Sequence, residues 1–222
     1  MSEDSYRFVA QAPAAATDPE EWVILNICTQ DELCTKLLSG VWEKMFTALR
    51  NFHEHTADDN GPAPGWVHWK LSDWSRDKKI VQRQKFAAWA GSSLVGILNT
   101  RPAYPSYIDP NKKVLYIEHI ATSPGNLVTD IWRDRFRHVG NSLMAYAVLQ
   151  SKIQGFEGII GLHAADDKAA NYYRNLKERH RFFHEPVRGI AGTPEDRSAK
   201  EKLYFESIPE QAINYLEGYR CE

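Results

Sequence analysis

A basic, glycine-bearing turn is the feature of this 222-residue chain most suited to chemistry. The turn is Arg137-His138-Val139-Gly140-Asn141-Ser142, set just before an amphipathic run. A helix N-terminus there presents unpaired backbone N–H groups and a partial positive charge, a natural seat for a phosphate. Gly140 has no Cβ to hold an anion away from the backbone, and Asn141 and Ser142 can donate further hydrogen bonds. Arg133, Arg135 and Arg137 concentrate charge immediately upstream. The pattern is neither Gly-x-x-x-x-Gly-Lys nor Gly-x-Gly-x-x-Gly, so it is no nucleoside-triphosphate loop or dinucleotide turn. Taken locally, an ordinary helix start with solvated arginines is the plainer reading, and the surrounding elements must decide.

Those elements read as a mixed α/β succession. Residues 22–27 are apolar and β-branched, which suits a buried strand. Thr29 and Glu32 form a capping box, and Leu33, Leu37, Val41, Met45, Leu49 and Phe52 continue from it at helical steps. Residues 53–79 are a loop that ends in a tryptophan-rich stretch containing Trp66, Trp69 and Trp74. Residues 85–90, 94–100 and 113–122 predict an antiparallel meander, its first turn at Gly91-Ser92-Ser93. Residues 139–154 predict a helix, 159–164 a buried strand and 167–176 a second helix, an order that implies a parallel crossover. A long-looped hairpin joins residues 181–184 to 202–207, and residues 210–219 predict a last helix. Residues 1–20 read as a flexible tail and 21–222 as one domain.

Composition bounds the function. With 27 basic against 29 acidic residues the net charge is −2, so no general electrostatic drive toward nucleic acid or anionic membrane exists. Glu3 and Asp4 stand where a secretory signal carries basic residues, and no apolar run approaches the roughly 20 residues of a membrane span. A cytoplasmic protein is expected. Cys28, Cys34 and Cys221 form neither an even framework nor a CxxC pair and read as reduced fillers. His53 and His55 lack the spacing of a zinc pair, so no metal is expected.

Strand, long helix, hairpin, a strand ending in Ala121-Thr122-Ser123-Pro124, the Arg-x-x-Gly-x-Ser turn, helix, strand, a helix with Ala169-x-x-Tyr172-Tyr173 and a final hairpin together resemble the GNAT superfamily of N-acetyltransferases. The resemblance runs from about residue 22 to residue 207. It implies a predominantly antiparallel mixed sheet with one parallel crossover, flanked by helices, and acetyl-CoA as co-substrate. By the same resemblance the pyrophosphate lies on Arg137, His138, Val139, Gly140, Asn141 and Ser142. The backbone of Ile120, Ala121 and Thr122 pairs with the pantetheine arm and polarises the thioester carbonyl. Glu118 corresponds to the general base and Tyr173 to the acid that protonates the thiolate, with Tyr172 in reserve and His119 and His163 as rival bases. Ser142 replaces the family's glycine or alanine, the link from Ser123 to Arg137 is long, and Leu176-Lys177-Glu178 stands where Gly-Phe is usual. The implied acceptor is a small-molecule or protein amine, entering beside Glu54, Asp58, Asp59 and Asp73. Nucleic acid is not expected as a partner, and a homodimer is compatible with the pattern. The alternative is a non-catalytic module of the same fold that binds CoA or a protein.

Overall fold

The computed structural model of the protein describes residues 6–11, 22–29, 36–42, 44, 47, 83–123, 136, 138–191 and 201–219. Strand-forming runs give β1 (Tyr6–Gln11), β2 (Trp22–Thr29), β3 (Gln84–Ala90), β4 (Ser93–Pro105), β5 (Lys113–Thr122), β6 (Ile160–His163) and β7 (Tyr204–Glu206). They lie side by side in chain order in one seven-stranded sheet. Every neighbouring pair is antiparallel except β5 and β6, which run parallel across a helical connection. The helices are α1 (Val139–Ile153), α2 (Asp167–His180) and α3 (Pro209–Glu217). This is the mixed architecture that the GNAT resemblance implies.

The core lies between the sheet and these helices. Alternate residues of the strands, among them Phe8, Leu25, Ile27, Phe86, Leu98, Leu115, Ile117, Leu162 and Phe205, meet Leu143, Met144, Ala147 and Val148 of α1. Tyr146 sits edge-on between Phe8 and Phe86, with ring centroids 5.7 and 4.9 Å away. α1 touches the sheet on one side and α3 on another, so ten of its fifteen residues are buried rather than one narrow stripe. Gly96 lets it lie this close: a Cβ there would stand 2.8 Å from Leu143 Cδ1 and 2.9 Å from Val139 Cγ1. Far from α1, the buried Glu206 carboxylate accepts from Tyr107 N at 2.8 Å, from Tyr204 Oη at 2.8 Å and from the Ser106 hydroxyl, fastening the β4–β5 loop to β7.

Three expectations change. The expected tail supplies β1, because Phe8 is fully buried and the segment pairs with β2 in register Phe8↔Leu25. Thr29 is the last residue of β2; residues 30–35 lie outside the described residues, and beyond them Lys36, Leu37, Lys44 and Thr47 are helical around a π-helical turn at Leu38–Trp42. The remainder of that helix, and residues 53–79 with their tryptophans, histidines and carboxylates, lie outside the described residues. α2 runs on to His180, where Arg181 adopts a left-handed φ of 52° and ends it. Residues 181–184 form no strand: Phe183 and Val187 make only single bridges to Ser207 and Tyr204, with Pro186, which has no N–H to donate, between them. No helix among the described residues is long and apolar enough to cross a membrane.

Candidate active site

The site begins at a bulge. Asn99 of β4 faces His119 of β5, yet the next residue, Thr100, faces Ile117, so Glu118 is an extra residue in β5. Such an insertion bends a strand and strengthens its twist. β5 pairs with β6 only through Leu115, Tyr116 and Ile117, so this ladder ends before the bulge. Beside the unpaired end of β5 lies a cleft of about 690 Å³. Ile120, Ala121 and Thr122 form one wall, and His138, Gly140 and Asn141 form its end at the start of α1. Tyr172, Tyr173 and Leu176 of α2 form the opposite wall, closed by Tyr219 just past α3.

The start of α1 is an irregular turn. His138, its N-cap, has a left-handed φ of 64°, an uncommon conformation for a residue with a side chain. Its carbonyl accepts from Ser142 N at 2.9 Å and from Ser142 Oγ at 3.1 Å. Ser142 is fully buried and both its donors are used, so it braces the turn and offers nothing to a ligand. Helix geometry leaves the N–H groups of Val139, Gly140 and Asn141 without intrahelical acceptors. Val139 has a buried side chain and can contribute only its backbone. Asn141 is also spent as a side chain: Nδ2 donates to Tyr219 Oη at 2.8 Å and to His138 Nδ1 at 3.1 Å, and Oδ1 accepts from the Tyr172 hydroxyl. Gly140 alone is open, since a Cβ there would find only Thr122 Cγ2, at 3.9 Å. No protein atom requires a glycine at this helical position, and its lack of a side chain leaves the first-turn backbone open. Arg133, Arg135 and Arg137 lie outside the described residues.

α2 starts cleanly, with the Asp166 carboxylate accepting from Ala169 N at 2.8 Å. Its period turns Tyr173 inward against Phe183 and Phe205, with centroids 5.9 and 5.3 Å away, leaving the residue 7% exposed at the cleft wall. Burial first, and then the Asp166 charge, pushes the Tyr173 phenol well above its ordinary pKa. It therefore keeps its proton at neutral pH. Tyr172, the reserve acid, points its hydroxyl at Asn141.

Glu118 is placed differently. Thr100 turns toward the α1 side, where it reaches Gln84, which Gln154 beyond α1 also contacts. By strand alternation Asn99 and Arg101 therefore point to the other face, and Glu118 joins Arg101 there. Its carboxylate, with only 3% of the side chain exposed, accepts from Arg101 Nε at 3.0 Å and Nη2 at 2.9 Å and is also paired with Arg83. Glu118 does not line the cleft. His163 lies on the same face, with Nε2 donating to the Ile190 carbonyl at 3.1 Å and Nδ1 accepting from Tyr116 Oη at 2.8 Å. A carbonyl can only accept, which fixes the tautomer and occupies the lone pair a base would need. The structure thus brings Ile120–Thr122, the 138–141 turn and Tyr173 into one cleft, and sets the carboxylate apart. Tyr219, which closes that cleft, escaped the sequence reading, although Tyr215 and Tyr219 stand one helical turn apart and stack at 5.0 Å. Among the described residues no group of three His, Cys, Asp or Glu side chains is placed to hold a metal.

No family model and no curated protein sequence matches the chain. Its structure is similar to that of an acetyltransferase from Streptococcus agalactiae, at 12% identity and a TM-score of 0.47, covering 83% of this chain and 98% of that one. An acetyltransferase from Thermus thermophilus aligns at 14% identity and a TM-score of 0.41, over 82% and 95% of the two chains. The PaiA N-acetyltransferase from Thermoplasma acidophilum in complex with coenzyme A aligns at 16% identity and 0.41, over 82% and 98%. The chemistry of the site rests on its own residues.

Proposed function

We propose that the protein is a GNAT-type N-acyltransferase that moves an acetyl group from acetyl-CoA to an amine in one direct step. The observation that carries this reading is the meeting, in one cleft, of a β5 edge without a β6 ladder, an open helix N-terminus at Gly140 and the protonated Tyr173. Acetyl-CoA supplies the activated thioester. The N–H groups of Val139, Gly140 and Asn141 hold its pyrophosphate, with His138 shaping the turn and Arg137 adding charge. The backbone of Ile120, Ala121 and Thr122 pairs with the pantetheine arm and donates to the thioester oxygen as negative charge develops there. The amine nitrogen bonds to the acyl carbon, the carbon–sulfur bond breaks, and Tyr173 protonates the departing sulfur.

The proton that leaves the amine passes through water to Glu118. For this Glu118 must loosen from Arg83 or Arg101, since both hold its oxygens. The same ion pairs favour a second reading, in which Glu118 fixes the two guanidiniums and the amine is deprotonated by solvent. Thiol release from acetyl-CoA across a panel of amines tests the function: release with one acceptor class is expected, and CoA binding without release from any amine leaves the non-catalytic module. The pH–rate profile of Glu118→Gln separates the two roles, because loss of the acidic limb supports the base and an unchanged limb with altered KM supports the strut.

A further inference from the structure

The α2 wall of the cleft ends in a cation. Tyr173, Leu176 and Arg179 follow one another at helical steps, and all three line the space. At a rise of roughly 1.5 Å per residue, Arg179 stands about 9 Å along the helix from Tyr173, at the far end of that wall. Two other basic residues of the same stretch are engaged elsewhere: Arg174 Nη1 donates to Asn171 Oδ1 at 2.7 Å, and Lys177 is paired with Glu185. Neither of them lines the cleft. Arg179 is exposed, borders the cleft, and makes no hydrogen bond or ion pair among the described residues. Asn175, one turn earlier on the same face, borders it too, and its amide is likewise uncommitted among the described residues. No aspartate or glutamate is among the described residues that line the space. A cleft walled by charge of one sign draws in the other.

Resting on the acyltransferase reading above, we infer that Arg179, assisted by Asn175, binds the 3′-phosphate of the donor's ribose and makes the protein select CoA over donors that lack this group. The N–H groups of Val139, Gly140 and Asn141 take the pyrophosphate, which leaves the 3′-phosphate as the remaining anion of CoA. A phosphate monoester is largely dianionic at neutral pH, and a guanidinium fork matches its oxygens. The charge has to come from a side chain at this place. The C-terminal end of a helix opposes an anion, and the cap N–H groups of α2 already bond the Leu176 and Lys177 carbonyls. The pantetheine arm and the base are uncharged, so the effect of Arg179 falls on the phosphate.

The test is calorimetric titration of the full chain with CoA and with 3′-dephospho-CoA. The wild-type protein is expected to bind CoA about tenfold more tightly, the scale of one charge-assisted hydrogen bond. Arg179→Met is expected to abolish the preference by weakening CoA alone, and Arg179→Lys to keep part of it. Arg174→Met removes a cation of the same helix that does not line the cleft, and should keep the preference whole. Added salt should narrow the preference of the wild-type protein, since the contact is solvent-exposed. Equal wild-type affinity for the two ligands overturns the inference. So does an equal loss for both in Arg179→Met, or an Arg174→Met variant that loses the preference as fully, which makes it a property of the general field. Arg179 is exposed, so its variants should melt with the wild type; a clear drop in melting temperature assigns the residue to the fold instead. Failure to bind either ligand overturns the inference and the acyltransferase reading together. Thiol release from acetyl-CoA and its dephospho form at equal kcat/KM removes the role of Arg179 and leaves the acyltransferase intact. Thiol release from neither, with any amine, refutes the acyltransferase, while the titrations still decide the phosphate site.

Discussion

Replacing Gly140 by alanine separates ligand binding from folding, because the two effects have opposite signs. The added methyl meets only Thr122 Cγ2 at 3.9 Å, an ordinary contact, so the fold bears no steric cost. Alanine in place of glycine gains about 1 kcal/mol in a helix interior, and a second-position residue realises about half of that. For a chain of this size the melting temperature should rise by about 1–2 °C. The methyl occupies the space through which an anion reaches the N–H groups of the first turn. Lengthening one charge-assisted hydrogen bond by that much forfeits about 1.5–3 kcal/mol, or a roughly 10- to 100-fold weaker Kd for CoA. Calorimetric titration with CoA and a thermal scan of the same samples read both numbers. A raised melting temperature with unchanged CoA affinity refutes the assignment of this turn as the anion seat. A lowered melting temperature refutes the packing argument itself.

Tyr173→Phe should keep CoA affinity within about twofold and lower kcat by about 100-fold, as expected when a general acid is lost; equal losses in affinity and rate point to packing instead. Gly161→Ala should lower the urea midpoint by an amount equivalent to about 2 kcal/mol, because the new Cβ stands 3.0 Å from Tyr204 Cζ and nearer still to its hydroxyl. Alkaline pH should destabilise the protein. The buried phenols of Tyr173, Tyr204 and Tyr215 are all pushed above their ordinary 10.0, chiefly by burial, so the folded chain holds these protons more tightly than the unfolded one. Their contribution is complete below about pH 10 and is lost as pH rises beyond it. Urea midpoints measured from pH 8 to 11 should fall above pH 10, and Tyr173→Phe should make the fall shallower.

Much of the fold was legible from residue order. The two-residue period of the strands from residue 85 onward, and the spacing of Leu143, Ala147 and Tyr173, mark elements that the structure contains, because those patterns arise from local geometry and one buried face. β1 was not legible, since Phe8 gains its burial only by pairing with Leu25 across a connection of unrelated composition.

For the site, the sequence by itself determined which residues border the cleft: the β5 segment at Ile120–Thr122, the turn at Gly140 and the tyrosine of α2. The turn follows from where a helix starts, which local propensities decide, whereas the β5 segment and the tyrosine were implied by the family resemblance. Only the tertiary structure decided what each side chain is free to do. Ser142 and Asn141, read as ligand donors, are consumed by His138, Tyr172 and Tyr219, and Glu118, read as a base, is held by arginines 17 and 35 residues away. Hydrogen-bond partners are set by register and by the packing of distant elements, and a single β-bulge at Glu118 reassigns the face on which a side chain meets them.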